Sequence, residues 1–146
     1  MAITQKYTIM CDEMRREDNG KFLLIGVYSD TMLSPTFPFR LPGLTFFMKM
    51  DSDRPGSWSI RMRLEHLDTG QRLLEAIGAL NFQRPGSGFN PIKLPPLQFN
   101  APGVYHFVLE VEGQTEPILY EFTVGLQIPQ GQGQQPQAGG MPGMSR

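Results

Sequence analysis

Little in this sequence lends itself to chemistry. Cys11 is the only cysteine, so no intrachain disulfide can form and a reducing compartment is the natural expectation. Thirteen Lys and Arg residues stand against fourteen Asp and Glu, for a net charge of −1. Nucleic-acid affinity is driven by neutralising phosphates, and the chain has neither a basic excess nor a Lys/Arg cluster to supply it. The longest apolar run, Phe22 to Tyr28, falls far short of the ~20 residues that span a bilayer. Residues Met1 to Lys6 lack the basic head and apolar stretch of an export signal, so a soluble, cytoplasmic protein with no membrane partner is expected. The two histidines, His66 and His106, lie on opposite parities of different segments, and no Cys/His pair has zinc-site spacing. Gly86-Ser87-Gly88 lacks the Gly-x-Ser-x-Gly of a nucleophile elbow, and no phosphate loop is present. No metal or cofactor is expected.

What the chain does have is alternation with a period of two. Trp58, Ile60, Met62 and Leu64 share one parity, while Ser59, Arg61, Arg63 and Glu65 share the other. A helix would scatter those apolar residues around its circumference, whereas a strand turns them all toward a core. The same pattern runs through Leu44, Phe46, Met48 and Met50, through Tyr105, Phe107, Leu109 and Val111, and through Ile118, Tyr120, Phe122 and Val124. Near the start, Tyr7, Ile9 and Cys11 alternate with Thr8 and Met10, which predicts that Cys11 faces inward as a small, inert hydrophobe.

Turn signals fall between these runs: Asp18-Asn19-Gly20, Asp68-Thr69-Gly70, Pro102-Gly103 and Glu112-Gly113. Two segments read less cleanly. Ser34 to Gly43 carries three prolines, which predicts an edge or a crossover between sheets. Arg72 to Phe82 is apolar on both parities and reads as a strand bulged at Gly78, with a short helix over residues 71–80 as the alternative. The expectation is an all-β fold: an antiparallel, immunoglobulin-like sandwich of about seven to nine strands over residues 1–126. Residues 127–146, rich in Gly, Gln and Pro with one charge, read as a disordered tail.

Cys11-Asp12, Asn19-Gly20-Lys21, Leu24-Ile25-Gly26-Val27-Tyr28, Pro38-Phe39-Arg40 and Pro102-Gly103-Val104-Tyr105-x-Phe107 together resemble a family of small bacterial proteins known only as a domain of unknown function. The resemblance spans roughly Tyr7 to Val124. It implies a bacterial or phage-borne β-sandwich and carries no activity, so it transfers no site residue.

Two groups of residues remain as candidates for function. Phe37, Phe39, Leu41, Leu44, Phe46 and Phe47 form the densest apolar cluster, and any that face solvent, Phe37 and Phe39 first, would mark a partner surface. Arg54-Pro55-Gly56-Ser57 recurs as Arg84-Pro85-Gly86-Ser87. If successive antiparallel strands alternate direction, the loops 51–57 and 83–90 emerge at one end of the sandwich and present Arg54 and Arg84 together. Asp51 and Asp53 are the nearby carboxylates that would neutralise Arg54 without any ligand. The sequence therefore supports a non-enzymatic binding or scaffolding module acting through protein contacts, with self-assembly as a homo-oligomer or phage subunit as one form of that reading. The alternative is an anion or acidic-partner binder built on Arg54 and Arg84.

Overall fold

A computed structural model of the chain describes residues 2–127. They form eleven strands and no helix: β1 (Ile3–Arg16), β2 (Phe22–Val27), β3 (Thr31–Ser34), β4 (Phe39–Leu41), β5 (Leu44–Ser52), β6 (Gly56–His66), β7 (Arg72–Phe82), β8 (Gly86–Leu94), β9 (Leu97–Phe99), β10 (Gly103–Val111) and β11 (Ile118–Leu126). The strands beyond the seven to nine expected are short ones. β3, β4 and β9 span three or four residues, too few for alternation to declare them.

One sheet has the order β2-β1-β5-β8, the other β3-β11-β10-β6-β7, and β4 pairs with β9 as a small third piece. All pairings are antiparallel except β3 with β11, which is parallel. β3 enters the second sheet directly after the chain leaves the first, and so arrives at the edge running alongside β11. Gln127 prolongs that pairing by donating its N–H to the Ser34 carbonyl at 2.7 Å. Residues 128–146, most of the tail expected to be disordered, lie outside the described residues.

The core lies between the two large sheets. Phe46 of β5 stacks flat on Phe107 of β10 at 4.2 Å, and Tyr105, Phe122 and Phe99 pack around them in stacked and edge-on pairs. Leu44, Met48, Met50, Trp58, Ile60, Leu64, Leu109, Val111, Ile118 and Val124 complete it, on the parities that alternation predicts. Trp58 is 7% exposed and meets Phe82 edge-on at 6.0 Å. Tyr105 donates its hydroxyl to the Ala101 carbonyl at 2.6 Å, tying the start of β10 to the turn before it.

Residues 72–82 form a strand, not a helix, but the bulge does not fall at Gly78. Gly78 pairs regularly with Ile60, and the register slips where Leu64 faces Leu74 and Glu65 faces Arg72, leaving Leu73 as the extra residue. Leu73 and Leu74 thereby both pack against the core, which accounts for the apolar pair at the start of the strand, whereas Ile77 on the outer parity stands in solvent.

Ser34 to Gly43 is the crossover that its prolines predict, running from the β3 edge through β4 into β5. Phe37 and Phe39 are half-buried against the core, and Phe39 stacks on Phe99 at 5.9 Å. Leu41, Leu44, Phe46 and Phe47 are buried. The aromatic cluster is therefore mostly interior.

Candidate functional site

The two Arg-Pro-Gly-Ser segments are the corners where the chain passes between sheets. β5 leaves the first sheet at Ser52 and β6 enters the second at Gly56. β7 then leaves the second at Phe82, and β8 re-enters the first at Gly86. Ser52 pairs with Gly86 and Gly56 with Phe82, so the corners lie side by side at one end of the sandwich, as the sequence predicts. Each is tighter than the expected loop: the second consists of residues 83–85 only, and Ser87 to Asn90 already belong to β8. Gly56 (φ 151°) and Gly86 (φ 117°) occupy the same place in their corners in a conformation that side chains rarely adopt, so the motif repeats because its geometry repeats.

The arginines behave differently. Arg54 pairs with Asp53 at 3.1 Å and lies over the Trp58 ring at 5.5 Å, while Ser52 donates its hydroxyl to the Arg54 carbonyl at 2.5 Å. Asp51 pairs with Lys6 at 3.5 Å and accepts the Ser87 hydroxyl, and that hydrogen bond leads the causes holding its carboxyl below the usual range. Arg84 is exposed and makes no ion pair or hydrogen bond among the described residues. Arg54 lines two shallow hollows with Trp58 and Glu112, and Arg84 lines neither. The corners are adjacent, but these hollows do not join the two guanidiniums.

The outer face of the β2-β1-β5-β8 sheet holds what alternation misplaced. Gln5 faces Met50 and Tyr7 faces Lys49, so Lys6 is an extra residue that reverses the parity of β1. Ile3 and Met10 reach the core, whereas Tyr7, Ile9 and Cys11 face away from it beside Lys49, Phe47 and Thr45. Cys11 is nevertheless fully buried. Phe22, at the start of β2, packs edge-on against Phe47 at 5.2 Å and Phe89 at 5.4 Å, making a second apolar cluster on the outside of the sheet. Burial pushes the Cys11 thiol above its ordinary value, opposed by a contact from its sulfur to the Glu13 carbonyl at 3.5 Å. On β2 the opposite parity stays in water: Leu23, Ile25 and Val27 are 46%, 38% and 59% exposed.

The outer face of the other sheet is a charged ladder. Arg63 bridges Glu110 at 2.8 Å and Glu65 at 3.3 Å, Arg72 pairs with Glu75, and His106 meets Glu121 at 2.9 Å. His106 is thus a half-buried residue beside a carboxylate. Two adjoining grooves of about 520 and 450 Å³ run across this face, sharing Arg61, Ile77 and Glu110.

His66 is the polar residue that sequence reasoning passed over. It is buried, with Nδ1 2.8 Å from the Thr69 hydroxyl, Nε2 3.1 Å from the Pro102 carbonyl and its ring 4.7 Å from that of Tyr105. A Cβ on residue 103 would come 2.6 Å from Nε2, so Gly103 is required there. Pro102-Gly103 and Thr69 were visible in the sequence; that they converge on His66 was not. With both ring nitrogens engaged, His66 pins the β6–β7 turn to the start of β10. Among the described residues, no three His, Cys, Asp or Glu side chains group to hold a metal ion. No helix among them is long and apolar enough to cross a membrane.

The sequence matches a family described as "Family of unknown function (DUF6941)" over residues 6–124. No curated protein matches it. Among solved structures, one similar fold is that of the C-terminal domain of wzt, with 11% identity, a TM-score of 0.46, and coverage of 88% of this chain and 75% of that one. Another is a beta-glucosidase from Listeria innocua in complex with isofagomine, with 13% identity and a TM-score of 0.39. It is covered over 82% of this chain but only 16% of its own length. Likenesses at these values carry no argument about activity.

Proposed function

The chain belongs to the DUF6941 family of unknown function, and from that premise we propose that it is a non-enzymatic binding or scaffolding module that works through protein contacts. The observation that carries this reading is the stripe Leu23, Ile25 and Val27. Three large apolar side chains on alternate residues of an edge strand stand substantially in water, while Phe22 and Leu24 on the other parity are half-buried. Contiguous exposed apolar surface rimmed by charge, here Glu13 and Arg15, is what a partner covers. The architecture is read as immunoglobulin-like, with the Tyr105–Ala101 bond in the place of a tyrosine corner. The setting is read as the cytoplasm of a bacterium or its phage, where a buried Cys11 stays reduced.

The test is affinity capture from host lysate with the parent chain and an Ile25→Glu variant, followed by mass spectrometry. A defined partner held by the parent and released by the variant, at unchanged melting temperature, is the expected result. Identical captures, or none, would remove the reading.

A second reading rests on the adjacent corners. Arg84 lacks a partner among the described residues, and a planar guanidinium suits carboxylate or phosphate. An anion site there would give a thermal shift with inorganic phosphate that Arg84→Ala removes. Arg54 contributes less on this reading, because Asp53 already neutralises it.

A further inference from the structure

Each large sheet ends in two edge strands, and three of the four edges carry a device that discourages pairing. β8 holds Pro91 and Lys93 with two glycines at its start. β3 is four residues long. β2 is six residues long and is interrupted by Gly26 at φ +70°. Such features blunt an edge against strand addition.

β7 is the least protected: its bulge lies at one end, at Leu73, and its one glycine, Gly78, pairs regularly with Ile60. It runs for eleven residues, holds no proline or lysine, and past the bulge at Leu73 it is regular from Leu74 to Phe82. Among the described residues, no backbone hydrogen bond reaches its outward edge. β9 packs beside it but is only three residues long and is hydrogen-bonded to β4. At the middle of this edge Ile77 is 81% exposed, the most exposed large apolar side chain among the described residues.

We propose that β7 pairs antiparallel with β7 of a second copy of this chain, about a two-fold axis at Ile77. This rests on the contact-module reading and specifies one of its surfaces. The residues on β7 are self-complementary in that register. Ile77 meets Ile77, Leu74 meets Leu80, Ala76 meets Gly78, and Glu75 of one chain meets Ala79 of the other, so no like charges are opposed. Arg61 lies beside Ile77 on β6 and makes no direct ion pair among the described residues. In the paired sheet the incoming Glu75 lies diagonal to Arg61, across Ile77, and can accept it while keeping Arg72. The two five-stranded sheets join into one of ten strands.

Sedimentation equilibrium of the full chain over a concentration series tests this. The expected result is reversible association to twice the 16.4 kDa protomer mass. Ile77→Lys places like charges on the axis and raises the dissociation constant on the order of a hundredfold. At protomer concentrations below the parent's dissociation constant, where Ile77 is in solvent in both chains, the melting temperature should not fall. The Ile77→Lys and Ile77→Glu chains, each monomeric alone, should associate when mixed, because opposite charges then meet. A parent that is monomeric throughout, a dimer indifferent to Ile77→Lys, or variants that fail to associate on mixing would each overturn the proposal. A monomeric parent that still releases its captured partner on Ile25→Glu would overturn this inference and leave the contact-module reading standing. If the capture test fails while the mixing test succeeds, the stripe on β2 is wrong and the β7 edge stands.

Discussion

The outer faces of the two large sheets obey the same alternation and are covered in opposite ways. On the β2-β1-β5-β8 sheet the outward residues of the inner strands include Ile9, Cys11, Thr45 and Phe47, and the chain packs Phe22 and Phe89 against Phe47. On the sheet that ends in β7 the outward residues are mainly charged, Arg61, Arg63, Glu65, Glu75, His106, Glu110 and Glu121, with Val108 buried among them and Ile77 in solvent. A strand with one wet face states its orientation in its sequence. A strand buried on both faces states only that it is a strand.

The largest expected effect sets the reference for this contrast. Phe46→Ala, between the sheets, should cost ~3–5 kcal/mol in denaturant unfolding, the usual loss for a buried phenylalanine. Phe47→Ala sharpens the comparison, since Phe47 is 4% exposed yet on the outside. It should fall near the lower end of that ~3–5 kcal/mol range. A cost below about 1 kcal/mol, typical of surface positions, would show that Phe22 does not cover that face. Tyr105→Phe keeps the ring and strands the Ala101 carbonyl, so about 1–2 kcal/mol should be lost, seen as a shifted midpoint at unchanged slope. On the charged face, Arg63→Ala breaks contacts to Glu65 and Glu110 and should cost less than about 1 kcal/mol, as partly exposed ion pairs do. A loss as large as that of Phe47→Ala would erase the distinction between the faces. Cys11 gives a readout without mutation. A thiol as fully buried as this one should react with Ellman's reagent only after denaturant is added, and immediate labelling would mean that the outer face opens around it.

The same contrast explains what could be read from the sequence. β6, β10 and β11 each carry charged residues on their outer face, and their core residues are those the alternation assigns. β5 is buried on almost every residue, but Lys49 and Thr45 still mark its outer parity. β1 was misassigned because one extra residue, Lys6, inverts a strand, and Tyr7, Ile9 and Cys11 are apolar enough to pass for a core face. The bulge was expected at Gly78 because glycine often marks one. The slip at Leu73 is set by how β6 and β7 close over His66 and Thr69, a tertiary fact. The adjacency of the two corners was legible because it needs only strand direction. The relation between Arg54 and Arg84 was not, since Asp53 and the Trp58 ring draw Arg54 toward its own corner. The open edge of β7 is a property of sheet order, and no single segment states sheet order.

The paired corners also bear on the order in which the chain assembles. β6 and β7 close a hairpin through the short turn at Asp68-Thr69-Gly70, and their far ends bring Gly56 and Phe82 together. Ser52 and Gly86 are then one corner away from each other, although 34 residues separate them along the chain. Pairing β5 with β8 no longer requires closing a long loop, because the hairpin has already shortened it. Residues 44–94 can zip from the inside outward, with each pairing reducing the entropy cost of the next, while the β1–β2 and β10–β11 hairpins must still dock onto β5 and β6 across longer separations. Destabilising substitutions in β6 or β7 should therefore slow refolding, whereas equally costly ones in β1 or β11 should mainly speed unfolding.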